Sequence, residues 1–230
     1  MKDHEREALL ASYADLRVCD VRDAMDAMGY FHYGSLDPRI RPLWRTRACG
    51  IARTVRYLPY PGPVPRMSAR EYRQEWSPMY YEKICPYPWS QDVGKGDFVV
   101  IDQSGLNVGL IGSENSFARF NDGARGFVTN GGVRDTDEII LEKVPFWSRY
   151  VGQTMVQVRL QYDSRNIPIA VGGVQVRPDD MVVADGDGVI VVPQEVAGEV
   201  ARWAHEEHES DKKARLEHYV RAGREPDETV

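Results

Sequence analysis

One short stretch of the 230-residue chain combines residue types that could do chemistry. Residues 131–138 read GGVRDTDE and directly follow a short apolar run. Ligands of α/β proteins collect at strand ends, and paired glycines let a ligand approach the backbone closely. Asp135 could bind a hard cation, and Arg134 could clamp a carboxylate or an enolate. The same residues also suit a surface ion pair at the start of a helix with Asp135 as N-cap, so the motif alone leaves both interpretations open.

Other catalytic templates find little support in the sequence. It contains no GxxxxGK[ST] phosphate loop, no GxSxG nucleophile elbow and no GxGxxG after a predicted strand. His205 and His208 are three residues apart, whereas the zincin pattern needs four, and we interpret them as solvated surface residues. A Schiff-base lysine must be desolvated in a pocket, but Lys83, Lys95 and Lys143 lie in polar or loop-like contexts.

The motif lies within a strand–helix–strand alternation, which indicates an α/β unit. The first strand of this unit is buried and ends at Asp102. The unit comprises predicted strands over 98–101, 126–130 and 145–148 and predicted helices over 114–124 and 135–142.

Further elements flank this unit. Upstream, a helix is predicted over 20–29, with Asp20 as N-cap and Asp23 as the capping-box acid, and a strand over 49–57. Downstream, strands are predicted over 151–160, 169–176, 181–184 and 189–192, followed by a helix over 194–222. The sequence DGDG at 185–188 indicates a hairpin turn and lacks the spacing of a calcium loop. The C-terminal helix carries a narrow apolar stripe that suits packing on a neighbouring subunit.

Residues 57–91 differ in composition from the rest of the chain. They hold seven of the 14 prolines, six of the 12 tyrosines and two of the five tryptophans. Prolines alternate from 59 to 65, which excludes a helix or a central strand there. The segment is either a long ordered loop packed by its own rings, or a functional element such as a substrate lid or a subunit contact.

The composition is typical of a globular protein. With 42% hydrophobic and 28% charged residues in 26.1 kDa, the chain is an ordinary globule, predicted to be one domain over 1–230. No 18-residue apolar run is present, so no membrane partner is expected, and the charged N-terminus does not resemble a signal peptide. A net charge of −6 disfavours nucleic-acid binding. Three widely spaced cysteines indicate reduced thiols and a cytoplasmic location.

Read together, several short motifs resemble the RraA-like family. They include Gly112, the sequence ARG at 124–126, the GGVRDTDE motif, Pro145, and GDFVVID at 96–102. The resemblance covers about residues 15–56 and 92–205, and the order and spacing of the pieces make it fairly specific. The family includes class II pyruvate aldolases that act on 4-hydroxy-4-methyl-2-oxoglutarate and 4-carboxy-4-hydroxy-2-oxoadipate. The resemblance implies an α/β fold, a swivelling β/β/α sandwich, assembled as a homotrimer or homohexamer with the active site in a cleft between subunits.

The resemblance also assigns roles to individual residues. Asp135 would ligate Mg²⁺ or Mn²⁺, and Arg134 would hold the pyruvyl oxygen of a 2-oxo acid substrate. The loop at Gly112, Ser113 and Glu114 would offer backbone N–H groups to the substrate carboxylate. The remaining acidic motif positions, Asp102 and Glu138, would orient metal-bound waters.

We therefore expect a metal-dependent lyase that acts on a 2-oxo acid through a pyruvate-type enolate, by retro-aldol cleavage or decarboxylation. The alternatives are another metal–enolate enzyme or a non-catalytic regulatory protein of the RraA type that acts by protein contact. The sequence departs from the family pattern at Asn130, where an aspartate is usual, and at Ser113, where an acid is usual. We further expect residues 57–91 to cover the cleft of their own subunit or of a neighbour. Their tyrosines and tryptophans would pack on an apolar part of the substrate, and Arg66, Arg70 and Arg73 would be available to a second substrate carboxylate.

Overall fold

The computed structural model describes residues 3–230, and the first two residues lie outside the described part. Two helices open it, α1 (Asp3–Ser12) and α2 (Val18–Ala27). Next come β1 (Arg41–Pro42), β2 (Ala48–Pro59), α3 (Ala69–Glu71), a π-helical turn (Tyr72–Trp76), α4 (Ser77–Lys83) and a 3-10 turn (Pro88–Gln91). The central unit comprises β3 (Asp97–Asp102), β4 (Gly109–Ile111), α5 (Ser113–Asn121), β5 (Gly126–Val133), α6 (Thr136–Leu141) and β6 (Phe146–Val151). The last elements are β7 (Leu160–Arg165), β8 (Ile169–Val171), β9 (Val174–Val176), β10 (Met181–Ala184), β11 (Val189–Val192) and α7 (Ala197–Ala222).

A mixed nine-stranded sheet organises the fold. Its main path runs β1-β6-β5-β3-β2-β10-β11, with β4 added beside β5 and β7 beside β2. The four central strands of this path, β2, β3, β5 and β6, run parallel to one another, and β4 is parallel to β5. The carboxyl ends of these strands therefore share one edge of the sheet, where ligands of α/β proteins collect. The predicted α/β class is confirmed.

Alternate residues of the central strands face different layers, as the period of two in a strand requires. Val99, Ile101 and Phe127 lie in a buried cluster with α6 and the segment around Trp89. Their neighbours along the strands, Phe98, Val100 and Val128, pack in a second cluster with the β8–β9 hairpin. A third cluster joins α1, α2 and α7 to β10 and β11. The sheet is thus covered on both faces, which explains the continuous apolar run over residues 98–101 of the central strand β3.

The C-terminal helix lies where it was predicted, beginning at 197 rather than 194. Its apolar stripe, however, is not free for a neighbouring subunit. Val200 and Ala204 are fully buried within the chain, while Trp203 remains 36% exposed. Val200 and Ala204 belong to one buried cluster with Val21 and Met25 of α2, so the buried part of the stripe belongs to the protein's own core. No helix within residues 3–230 combines the length and apolar character needed to cross a membrane.

Helix α2 begins at Val18, two residues before the predicted start at Asp20. Asp20 is therefore inside the helix and has a role other than N-cap. Arg17 is the N-cap of α2, and Asp20 sits at the third helical position, where its carboxylate accepts a hydrogen bond from the Arg17 backbone N–H at 2.9 Å. The buried Asp20 side chain also pairs with the Arg17 guanidinium and with His208 of α7. Asp20 is therefore a link between two helices, and the prediction that it caps α2 was wrong.

Residues 57–91 form a structured insertion that is partly helical. The prolines keep the stretch after Pro59 irregular, but Ser68 caps a helical run that continues to Lys83, which the prediction of a long loop missed. Tyr80 and Trp89 are buried, and the Tyr80 hydroxyl donates to the Leu160 carbonyl at 2.8 Å. These buried rings anchor the insertion to the body of the protein.

The predicted strand over 151–160 does not form. Strand β6 ends at Val151 and β7 begins at Leu160, with irregular chain between them. Strand β7 pairs with β2, which lies three places from β6 in the sheet. The irregular chain between β6 and β7 therefore has to pass across the ends of the intervening strands. The DGDG sequence does form the predicted hairpin turn, since Ala184 and Val189 are paired across it.

Candidate active site

Two parallel strands, β4 and β5, bring Gly112 and the GGVRDTDE motif together at the sheet edge. Ile111 at the end of β4 pairs with Val133 at the end of β5. The Arg134 backbone N–H then donates to the Ile111 carbonyl at 3.1 Å, which continues the pairing by one residue. As a result, Gly112 on one strand end lies beside Arg134 and Asp135 on the other.

Asp135 is the N-cap residue of α6, but its side chain does not cap that helix. Its backbone is left-handed, with φ of 55°, a conformation that aspartate tolerates better than most side chains. The carboxylate instead accepts a hydrogen bond from Arg134 Nε to Oδ1 at 3.1 Å. Both side chains remain about one-third exposed, at 34% and 36%. Arg134 and Asp135 thus form the ion pair expected of a structural role. Both side chains also remain accessible to a ligand, as a functional role requires.

Two glycines make room for this pair. A Cβ at Gly112 would overlap Asp135 Oδ2 and would lie 3.1 Å from Asp135 Cγ. A Cβ at Gly109 would lie 2.9 Å from Arg134 Cβ and 2.7 Å from the Thr154 carbonyl oxygen. Any larger residue at either position would displace the functional groups, so these glycines are required for close approach rather than for backbone freedom.

The start of α5 offers backbone donors at the same place. Gly112 is its N-cap residue and has no side chain to satisfy the N–H groups of Ser113, Glu114 and Asn115. The fourth residue, Ser116, is already bonded through its backbone N–H to the Gly112 carbonyl at 3.1 Å. A helix N-terminus with free amides favours a carboxylate or phosphate, which agrees with the role expected of this loop.

These elements border a cavity of about 420 Å³. Its polar wall is formed by Arg134, Asp135, Glu114 and Asn115, with Gly109 and Gly112 between them. Its other wall is formed by Leu110, Met155 and two rings of the insertion, Tyr81 and Tyr87.

The insertion therefore borders the cavity through two of its tyrosines, in agreement with the prediction for its aromatic rings. The Tyr87 hydroxyl donates to the Leu110 carbonyl at 2.7 Å, which fixes that ring against β4. Burial raises the pKa of Tyr87 well above its ordinary value, and burial likewise raises the pKa of Tyr81, so both phenols are neutral. The insertion's arginines are different: Arg66, Arg70 and Arg73 are exposed, and none of them borders the cavity.

Two further predicted site residues lie apart from the cavity. Asp102 accepts hydrogen bonds at Oδ1 from Asn130 Nδ2 at 2.7 Å and from the Ser104 backbone N–H at 2.9 Å. Glu138 is exposed on the first turn of α6. Neither carboxylate is among the groups that line the cavity in residues 3–230.

The Asp102 network explains the departure at position 130. Asn130 donates to Asp102 and at the same time accepts from the Gln103 backbone N–H at Oδ1, at 2.9 Å. An ionised aspartate could accept but could not donate, and it would place two negative charges together. Asparagine is therefore the better partner for Asp102 in this chain.

The side chains at the cavity suit a metal ion that keeps most of its water ligands. Among residues 3–230, no three histidine, cysteine, aspartate or glutamate side chains are grouped to hold a metal. Asp135 and Glu114 are the carboxylates at the cavity. Magnesium commonly binds through one or two carboxylates and keeps several waters, whereas structural zinc needs a closed set of protein ligands. The residues present suit Mg²⁺ or Mn²⁺ held largely by water and substrate oxygens.

Sequence reasoning missed part of the cavity wall. Met155 fell within a stretch predicted as a strand, and no sequence signal marks it as a cavity residue. Tyr81 and Tyr87 belonged to the aromatic-rich segment, but its composition could not indicate which of its rings face the cleft. Asn115 lies one residue beyond the predicted Gly112–Glu114 loop, and helix geometry could have included it because the first turn exposes several N–H groups.

Comparisons with known proteins agree on the family. The model of the RraA-like family, described as Aldolase/RraA, matches residues 18–191. A putative 4-hydroxy-4-methyl-2-oxoglutarate aldolase of Halalkalibacterium halodurans is 30% identical over 123 residues, which are 53% of this chain and 58% of that protein. The aligned regions span only 28%, 58% and 63% of the lengths of the first three curated relatives.

Solved structures share the fold of this chain. A protein of unassigned function from Pseudomonas syringae has a TM-score of 0.74 and 25% identity, covering 95% of this chain and 94% of its own. RraAS2 from Streptomyces coelicolor, described as an unusual member of the RNase ES inhibitor RraA family, has a TM-score of 0.72 at 24% identity. It covers 91% of this chain and 96% of its own, and at that identity it supports the fold alone. Because the family model spans most of the chain and the fold agrees, the chain belongs to the RraA-like family.

Proposed function

We propose that this protein is a divalent-metal-dependent carbon–carbon lyase that acts on a 2-oxo acid. The observation that carries the proposal is the Arg134–Asp135 pair, held over Gly112 and facing the same cavity as the free amides of α5. The relatives named as 4-hydroxy-4-methyl-2-oxoglutarate aldolases support this class of reaction.

The cavity supplies separate partners for the two ends of a pyruvyl group. The amides of Ser113 and Glu114 at the start of α5 suit the substrate's carboxylate. Arg134 offers a planar, permanently charged group to the 2-oxo oxygen, where negative charge develops. Asp135 holds Arg134 Nε and so orients the guanidinium. A divalent cation at Asp135 would act as a Lewis acid toward the 2-oxo group.

Arg134 and Glu114 can accommodate the charge and the proton that move during carbon–carbon cleavage. In a 4-hydroxy-2-oxo acid, the 4-hydroxyl loses its proton and the bond between C3 and C4 breaks. The electron pair moves through C3 to the 2-oxo oxygen, giving an enolate that Arg134 stabilises, and C3 then takes a proton to form pyruvate. Glu114 is the second carboxylate of the cavity and is available to accept and return that proton, directly or through water.

A substrate panel tests this proposal. The protein, supplied with Mg²⁺ or Mn²⁺, is incubated with 4-hydroxy-4-methyl-2-oxoglutarate, related 4-hydroxy-2-oxo acids and oxaloacetate, and pyruvate is followed with lactate dehydrogenase. We expect pyruvate from at least one acid, with turnover lost in Asp135→Asn. The matched control is Asp137→Asn, because Asp137 is an exposed aspartate two residues away that does not border the cavity. Equal activity in both variants, or a folded protein inert toward the whole panel, would contradict the proposal.

A further inference from the structure

The charges around the cavity limit which 2-oxo acids it can hold. Arg134 is the one cationic side chain among the described residues that line it, and Glu114 and Asp135 are both acidic. Arg134 is also shared with Asp135, at 3.1 Å. The substrate's first carboxylate and its 2-oxo group already occupy Arg134 and the α5 amides. A second carboxylate farther along the substrate would therefore find no further cationic side chain among the described residues of this chain that line the cavity, and it would meet the negative charge of Glu114.

The wall away from the charged groups is apolar and aromatic. Tyr81 and Tyr87 stand side by side, with ring centroids 6.2 Å apart and planes inclined by 32°. Tyr87 is held rigidly, since its hydroxyl is bonded to Leu110 and its ring also contacts Tyr57 and Trp89 at centroid distances of 6.1 Å. Met155 completes the surface with a side chain that adapts to the shape of its partner. Such a wall favours a flat or bulky apolar group.

We propose that the preferred substrate is a monocarboxylic 4-hydroxy-2-oxo acid with an aromatic or bulky apolar group on C4, bound against Tyr81 and Tyr87. This rests on the proposed lyase function and adds the class of the leaving half. The leaving product is an aromatic or apolar aldehyde or ketone, and the insertion at 57–91 selects it. Dicarboxylic acids, including 4-hydroxy-4-methyl-2-oxoglutarate, are poorer substrates.

The first experiment compares two substrates under the same metal and pH. We expect the kcat/KM for 4-hydroxy-2-oxo-4-phenylbutanoate to exceed that for 4-hydroxy-4-methyl-2-oxoglutarate by about tenfold or more, as one good aromatic contact gives. Tyr81→Ala should remove most of this preference by lowering kcat/KM for the phenyl substrate alone. The control is Tyr72→Ala, because Tyr72 is another half-buried tyrosine of the insertion that does not border the cavity. A preference for the dicarboxylic acid, or the same loss in both variants, would overturn the inference.

A binding measurement separates this inference from the proposed function. Calorimetry with Mn²⁺-supplied protein compares phenylpyruvate with 2-oxoglutarate, and neither ligand needs to react. Tighter binding of phenylpyruvate that disappears in Tyr81→Ala supports the inference even if no acid in the panel is cleaved. Conversely, pyruvate release combined with tighter binding of 2-oxoglutarate would leave the lyase function standing and would refute the inference.

Discussion

Replacing Gly112 by alanine tests whether Asp135 must sit where the structure places it. The backbone of Gly112 is extended, with φ of −117° and ψ of −170°, so alanine fits it without strain. Alanine restricts the unfolded chain and so stabilises by about 0.4–1 kcal/mol, while it is a poorer helix N-cap than glycine by roughly 0.5–1 kcal/mol. These two contributions nearly cancel, and we expect the thermal midpoint to change little.

The expected effect on activity is large because the new methyl group enters the space of the carboxylate. The added Cβ would lie 3.1 Å from Asp135 Cγ and closer still to Oδ2, whereas a carbon–oxygen contact needs about 3.3 Å. The carboxylate, which is 36% exposed, can swing outward to avoid the clash, by roughly 1 Å. A displacement of that size at a reacting centre lowers the rate by about a hundredfold, or ~2.7 kcal/mol.

The assay measures kcat/KM for pyruvate release and the thermal midpoint of each variant. Gly94→Ala is the control, since a Cβ there meets no atom within 4 Å. We expect Gly94→Ala to match the parent protein and Gly112→Ala to lose about two orders of magnitude at an unchanged midpoint. Full activity in Gly112→Ala would refute the argument that Asp135 must be held in place, and a collapse of the midpoint would show that Gly112 is needed for folding instead.

Three further outcomes follow from the same structure. Arg134→Lys keeps the charge but loses the planar fork, so kcat/KM should fall by about 10²–10³-fold with an intact melt; unchanged turnover would show that Arg134 is structural. Burial raises the pKa of the Cys85 thiol to about 12, so at pH 8 the folded protein should resist iodoacetamide at Cys85 and react first at the half-buried Cys19, as peptide mass analysis would report; equal labelling rates would contradict this burial. Light scattering should give a trimer or hexamer, as the resemblance to the RraA-like family implies, because contacts between subunits would cover apolar side chains such as Leu141 and Val151, which are 81% and 62% exposed in the single chain; a monomer mass at micromolar concentration would reject it.

Local sequence patterns were enough to predict the centre of the fold and the charged pair. The apolar run before GGVRDTDE predicts β5, and strand-end geometry then places Arg134 and Asp135 at the sheet edge. The DGDG turn at 185–188 and the long C-terminal helix also follow from local chemistry. These features depend on neighbours in sequence, which is why they could be predicted.

Features that depend on distant neighbours could not be predicted in this way. The prolines at 59–65 exclude a helix only where they stand, and the helical run of the insertion begins just after them, at the Ser68 cap. Asp20 has the residue type of an N-cap, but pairing with Arg17 and with His208, far along the chain, decides its role. The rings that border the cavity were undetermined for the same reason, since only tertiary packing selects Tyr81 and Tyr87 from the six tyrosines of the segment.

A divalent metal acting at Asp135 is central to the proposed function, and a metal titration of activity tests it. Protein stripped with a chelator is titrated with Mn²⁺ while pyruvate release is followed for the parent chain, Asp135→Asn and Asp137→Asn. We predict no turnover before Mn²⁺ is added, saturable recovery in the parent chain and in Asp137→Asn, and recovery in Asp135→Asn only at about a hundredfold more Mn²⁺ or not at all. Full turnover of the parent chain in excess chelator, or identical titrations for all three proteins, would contradict the account.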